Sequence, residues 1–197
     1  MTQSPRAETR QRILTAARAL FRDTGVRGVT MTDVAREAGS TRQMVYKVFF
    51  DRRELILAAA VERVVEIADA AATNAGEFAG EFTDAFVELS VHVIETLRND
   101  AELETLFGDG SPVTAYETLW APELTERAVR FWQPWLSWGR EHGVLRDDLS
   151  NRDLADWLHT VYASIILRRN IPQDDERNMI QRFVLTSLTL ATIEVHP

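Results

Sequence analysis

The sequence contains no cysteine, so disulfides, thiolate metal sites and cysteine nucleophiles are excluded outright. A cytoplasmic location is the expectation that goes with this absence. No stretch reaches the roughly 18 uninterrupted apolar residues that a membrane helix needs, and no membrane partner is expected. The opening MTQSPRAETRQR is polar and Arg-rich with no apolar run behind it, unlike a signal peptide. There is no alternating strand pattern, no internal repeat and no low-complexity segment. There is also no Gly-rich phosphate loop and no nucleophile elbow. Glu88 with His92 and Asp156 with His159 have helical spacing, but neither repeats in the pattern that a two-metal helical bundle uses. No catalytic residue, metal or cofactor is expected.

What is present is an uneven distribution of charge. The chain of 197 residues carries a net −8, which by itself argues against nucleic acid. Residues 1–53, however, hold eleven Arg or Lys against five Asp or Glu, a balance of +6, which leaves −14 for the remainder. A basic head on an acidic body is the footprint of a chain that touches a polyanion with one end. A solvated helix surface is the plainer alternative.

The stretch Thr30–Phe49, TMTDVAREAGSTRQMVYKVF, organises that head. Thr30 with Asp33 three places on is a capping-box-like start, and Val34, Ala35 and Ala38 give a short helix its inward face. Gly39 suits the left-handed conformation that ends a helix. Ser40 (with Gln43 as its capping-box partner) or Thr41 then caps a second helix, in which Val45, Val48 and Phe49 recur at helical spacing. Two short helices around a Gly turn form a helix-turn-helix, whose second helix enters the DNA major groove. Before it, residues 7–24 form a periodic helix ended by Gly25, and residues 1–6 are expected to be disordered. After it, helices are expected at about 52–73, 79–98, 101–107, 113–120, 123–141, 151–169 and 174–194. Pro134 is expected to kink or divide the helix over 123–141. The fold class is all-α. The expected division is a three-helix DNA-binding domain over 1–51 and a helical bundle over 52–197 for ligand binding and dimerisation.

Ile13-x3-Ala17-x2-Leu20-Phe21-x3-Gly25, Thr30-x2-Asp33-Val34-Ala35-x2-Ala38-Gly39 and Tyr46-x2-Phe49-x2-Arg52-x-Glu54-Leu55 resemble the TetR family of transcriptional regulators. The match covers roughly residues 8–60; beyond that the resemblance is one of architecture. It implies a dimeric repressor whose C-terminal domain binds a small molecule and releases DNA. It also implies phosphate contacts for Thr30 and Tyr46, and for Arg52 in place of a family lysine. Independently of the family, Thr41 and Arg42 stand where a helix N-terminus meets phosphate or base edges. Arg42 suits guanine, Gln43 adenine, and Lys47 a nearby phosphate; Met44 suits a thymine methyl. Packing for Tyr46 and simple solvation for Arg42 and Lys47 are the alternatives. Gln43 and Met44 replace the small residues usual in the family, Ser40 a small apolar one, and Val48 an aromatic or histidine.

In the body, Tyr116, Trp120, Phe131, Trp132, Trp135 and Trp138 concentrate four of the five tryptophans. Aromatic walls with few polar groups suit an apolar or aromatic ligand, although such a stripe builds core more often than pocket. Phe82, Phe86 and His92 are candidates for a facing wall. His159, one turn from Tyr162, is either a buried histidine satisfied by a neighbour or a group that orients a ligand. The candidate ligand residues are Phe86, Tyr116, Trp120, Phe131, Trp132, Trp135, His159 and Tyr162. The apolar stripes of 151–169 and 174–194 suit a four-helix homodimer interface, as the family's last two helices do. The expected function is a repressor released from a pseudo-palindromic operator in double-stranded DNA by a small effector. The alternative is a helical small-molecule-binding or protein-docking module that does not bind DNA.

Overall fold

The computed structural model describes residues 4–74 and 81–189, and all regular secondary structure among them is helical. The chain forms two compact units, Met1–Val64 with Asn99–Leu119, and Val65–Arg98 with Trp120–Pro197.

The first unit begins with α1 (Pro5–Gly28), capped by Ser4. The helix therefore starts inside the segment expected to be disordered. Proline at the first helical position has no N–H to leave unsatisfied, so it starts a helix readily. Ile13, Leu14, Ala17 and Phe21 form its buried stripe. Gly25 breaks the helical geometry with φ 73°, as its position in the sequence implied. Then follow α2 (Met31–Glu37), α3 (Arg42–Val48) and α4 (Arg52–Asn74), whose residues up to Val64 belong to this unit. Two later helices, α6 (Ala101–Leu106) and α7 (Ala115–Leu119), complete it.

The start of α2 is a full capping box. The Asp33 N–H donates to Thr30 Oγ1 at 3.2 Å, and the Thr30 N–H donates to Asp33 Oδ2 at 3.0 Å. The Thr30 hydroxyl also donates to that carboxylate at 2.6 Å. This hydroxyl, then the Thr30 N–H, holds the Asp33 carboxyl below its ordinary value.

A buried ionic network ties α1 to α4 and α6. Arg18, 8% exposed, donates from Nε to Glu102 at 2.5 Å and from Nη1 to Glu62 at 2.8 Å. Arg63 on α4 donates to Asp100, which caps α6, at 2.6 Å. Desolvated charges hold only when each keeps a partner, so loss of one member costs more than the pair is worth.

The second unit is built from α5 (Phe82–Arg98), α8 (Pro122–Glu141), α9 (Asn151–Leu167) and α10 (Gln173–Met179). The last helix runs on through a π-helical segment, Ile180–Leu185, and a final turn, Thr186–Leu188. The end of the helix expected over 174–194 lies outside the described residues. Of the two outcomes expected of Pro134, division does not occur: α8 is continuous across it. Pro134 is exposed while Trp132, Trp135 and Leu136 are buried, so the core holds both flanks of the helix on its other side. Gly139 permits the close return of the chain: a Cβ there would lie 2.7 Å from Leu145 Cδ1 and 3.0 Å from Phe82 Cε2. Arg98, at the end of α5, donates to the Glu176 carboxylate at 2.8 and 3.0 Å and to the Ile166 carbonyl at 3.2 Å.

Two outcomes are expected. Glu102→Ala lowers stability by about 3 kcal/mol, read as a lower urea midpoint, and Arg18→Met with Glu102→Leu recovers most of it; an unchanged midpoint in the single variant rules the network out as a support. The depressed Asp33 carboxyl gives stability that is present above the ordinary carboxylate pKa. That stability is lost as pH falls through the lowered value. Asp33→Asn removes this acid-dependent part, so wild type and variant should converge in thermal melts as pH is lowered.

Candidate functional site

The seven-residue α3 is held by few contacts. Thr41 Oγ1 accepts from the Met44 N–H at 3.1 Å, which selects Thr41 over Ser40 as the cap. Gly39, with φ 57°, makes the left-handed turn into it. Val45 and Phe49 are buried at 0% and 1%, and the Arg10 guanidinium lies 5.1 Å from the Phe49 ring centroid.

The other side of the helix is open. Thr41, Arg42, Gln43, Met44, Tyr46 and Lys47 are all exposed, on a base that is wholly buried. The Arg42 guanidinium lies over the Tyr46 ring at 5.4 Å, one turn along, so cation and phenol form a single surface. Thr30 is exposed while its hydroxyl works in the α2 cap.

Arg52, expected to meet a phosphate, also has partners within the chain. It is half-buried, donating from Nε to the Val29 carbonyl at 3.0 Å and from Nη2 to the Val26 carbonyl. It thus fastens the end of α1, just ahead of Thr30. A lysine has one nitrogen and no such fork, so these two carbonyl contacts are particular to an arginine here.

In the second unit the predicted aromatic residues gather, but as a core. Trp132 stacks on Tyr162 with centroids 5.3 Å apart and planes 15° from parallel, and it meets Phe86 at 5.3 Å and Phe131 at 4.8 Å. Phe86 meets Trp135 edge-on at 6.5 Å. Phe86, Trp132, Trp135 and Tyr162 are buried, and Phe131 and Trp138 pack against them. The Ser90 hydroxyl donates to the Phe86 carbonyl at 2.7 Å, so in the 2.6 Å contact between Tyr162 and Ser90 the phenol is the donor. Burial pushes the Tyr162 phenol upward, against the opposing effect of the Ser90 hydrogen bond. Trp120 is 38% exposed and meets the His159 ring edge-on at 5.7 Å. Tyr116 is not part of this cluster; it belongs to the first unit, 61% exposed on α7.

A feature of the last helices was only half visible in the sequence. Along α9 and the C-terminal helical run lies an apolar groove of ≈ 510 Å³, lined by Trp157, Val161, Ile165, Met179, Phe183 and Val184 among others. Phe183, expected on an apolar stripe, is 70% exposed, and Trp157 is 46% exposed. Among the described residues no group of His, Asp and Glu with the makings of a metal site occurs, and no helix is long and apolar enough to cross a membrane.

Residues 13–59 match the family described as bacterial regulatory proteins, tetR family. The HTH-type transcriptional regulator AcrR of Shigella flexneri is 31% identical over 103 residues, 48% of this chain and 44% of that protein. The chain thus spans about half the length of the curated relatives it matches. Among solved structures, the transcriptional repressor QsdR of R. erythropolis has a TM-score of 0.72 at 17% identity, covering 94% of this chain and 98% of that one. The TetR family repressor AlkX of Dietzia sp. has a TM-score of 0.67 at 23% identity, with 94% and 97% covered. These likenesses show the same helical fold along nearly the whole chain, and within it residues 13–59 are similar to the tetR family of bacterial regulatory proteins.

Proposed function

We propose that two copies of this chain bind a pseudo-palindromic operator in double-stranded DNA in the cytoplasm and repress transcription until a small apolar or aromatic ligand releases them. The observation that carries this reading is α3 itself. Its buried side is only Val45, with Phe49 at its cap, while every side chain suited to phosphate or base edges is exposed. The descriptions of AcrR as a transcriptional regulator and of QsdR and AlkX as repressors support the same reading.

In this reading Arg42, Gln43 and Met44 meet base edges, with Gln43 favouring adenine and Met44 a thymine methyl. Thr30, Thr41, Tyr46 and Lys47 meet phosphates and set the register. Arg52 acts indirectly, by fixing the turn that carries Thr30. The exposed groove of the last helices is covered by the same face of a second copy, which repeats the reader about a two-fold axis. A ligand among the body's rings acts only through its preference for one conformer over another, and it releases DNA when that conformer no longer sets two readers in successive major grooves. Phe86, Phe131, Trp132, Trp135, Tyr162, Trp120 and His159 are the residues proposed to meet it. Tyr162 already spends its proton on Ser90, which suits a ligand held by ring contact.

Binding to a duplex selected from a random pool by the protein itself should weaken steeply as salt rises. Arg42→Ala and Gln43→Ala should change the preferred sequence. Tyr46→Phe and Lys47→Ala should weaken all duplexes alike, the latter lowering the salt slope by about one. A shallow slope in the wild type sinks the DNA reading and leaves the protein-docking alternative. For the dimer, Phe183→Asp should sediment as a monomer at micromolar concentration where the wild type does not; an unaffected dimer shows that another face makes the contact.

A further inference from the structure

Within residues 4–64 the exposed large apolar side chains are Met44 at 40%, Tyr46 at 42% and Phe50 at 83%. Isolated exposed apolar residues are ordinary on protein surfaces. These three fall within seven positions, all on or beside α3. Met44 and Tyr46 already have places in the proposed interface. Phe50 does not: it lies beyond α3, follows the capping residue Phe49, and is assigned by neither the family pattern nor the base-reading argument.

Its exposure is built into the backbone. Phe49 is extended, with φ −127° and ψ 117°, and successive side chains of extended chain point to opposite sides. Phe49 goes to the core at 1% exposure, and Phe50 goes out. The turn is also fastened. The Phe50 N–H donates to Glu54 Oε2 at 2.6 Å, and the Glu54 N–H donates to Asp51 Oδ1 at 2.7 Å. A ring presented from a fixed backbone loses little freedom on contact, which favours binding through it. Residues 47–54 hold Lys47, Arg52 and Arg53 against Asp51 and Glu54, and Lys47 is exposed on α3 beside the turn, a cationic surrounding that favours a polyanion at this place over an apolar protein surface.

We propose that Phe50 packs its ring on the deoxyribose face of the operator backbone beside the reader, and so supplies a part of the affinity that salt does not screen. The proposal rests on the DNA reading above. Between its charged phosphates a DNA strand presents sugar C–H surface, the one part of the backbone an aromatic ring meets without desolvating a charge. Such a contact displaces no condensed counterion, so it leaves the salt slope unchanged. Sugars are alike at every base, so it carries no sequence preference.

The test uses the full chain with two duplexes, one selected by the wild-type protein from a random pool and one unrelated. Phe50→Ala is expected to weaken binding to both by about tenfold, the scale of a partly buried phenylalanine. Its salt slope and thermal midpoint should match the wild type, whereas Lys47→Ala lowers the slope. Phe50→Leu should keep affinity within about threefold of wild type, since it retains apolar surface. Equal affinities for wild type and Phe50→Ala overturn the proposal, as does a changed salt slope. Loss confined to the selected duplex overturns it in favour of a base contact. A changed sedimentation profile without DNA overturns it in favour of a second copy as occupant. If the wild type shows no salt-dependent binding to either duplex, the DNA reading fails before any variant is compared, and this proposal fails with it.

Discussion

A guanidinium can leave water only when acceptors go with it, carboxylates above all, and the first unit is arranged around that constraint. Arg18 is buried on α1, the helix against which α2 packs, and its partners come from Glu62 on α4 and Glu102 on α6. An apolar residue at position 18 would have let α1 pack on any apolar neighbour. The charge instead requires two particular helices at hydrogen-bonding distance. Arg63 and Asp100 repeat the device between α4 and α6. The reader's foundation is therefore specified by geometry as well as by apolar burial, and it takes in a segment that starts at Asn99.

On that foundation, the residues that make α3 and those that face outward are different sets. Thr41, Val45 and Phe49 cap and bury it; Arg42, Gln43, Met44, Tyr46 and Lys47 are exposed. The two sets do not overlap, so the exposed set can vary without touching the residues that hold the helix. The body has no such division. Its rings fill their own core, with Trp132 between Phe86 and Tyr162, and a change there alters packing and any ligand contact together.

Local chemistry was the legible part of the sequence. The Thr30–Asp33 cap, the left-handed Gly39 and the broken helix at Gly25 each depend on residues within a few positions, and all occur in the structure. What was illegible depends on distant partners. Arg18 reads as one more surface arginine until Glu102, 84 positions away, is placed beside it. Nothing near Arg52 in the sequence shows that the carbonyls of Val26 and Val29 accept hydrogen bonds from it. Tyr116 shares the aromatic composition of its neighbours in sequence, but α7 carries it in the first unit. Pro134 left division of the helix open in the sequence, and it is the burial of Trp132, Trp135 and Leu136 on both flanks that accompanies a continuous α8.

The shortness of α3 has a consequence for how the reader fails on heating. Seven residues are well below the roughly 12 to 15 at which an isolated helix becomes even marginal in water. Little in the segment holds it helical apart from its cap and the burial of Val45 and Phe49 in the common core. Such a helix has no independent melting of its own: it is kept whole until the core that grips it opens, and then it vanishes. The exposed surface that α3 carries is therefore lost as a threshold in temperature, sharp where that of a long, self-sustaining helix would fade.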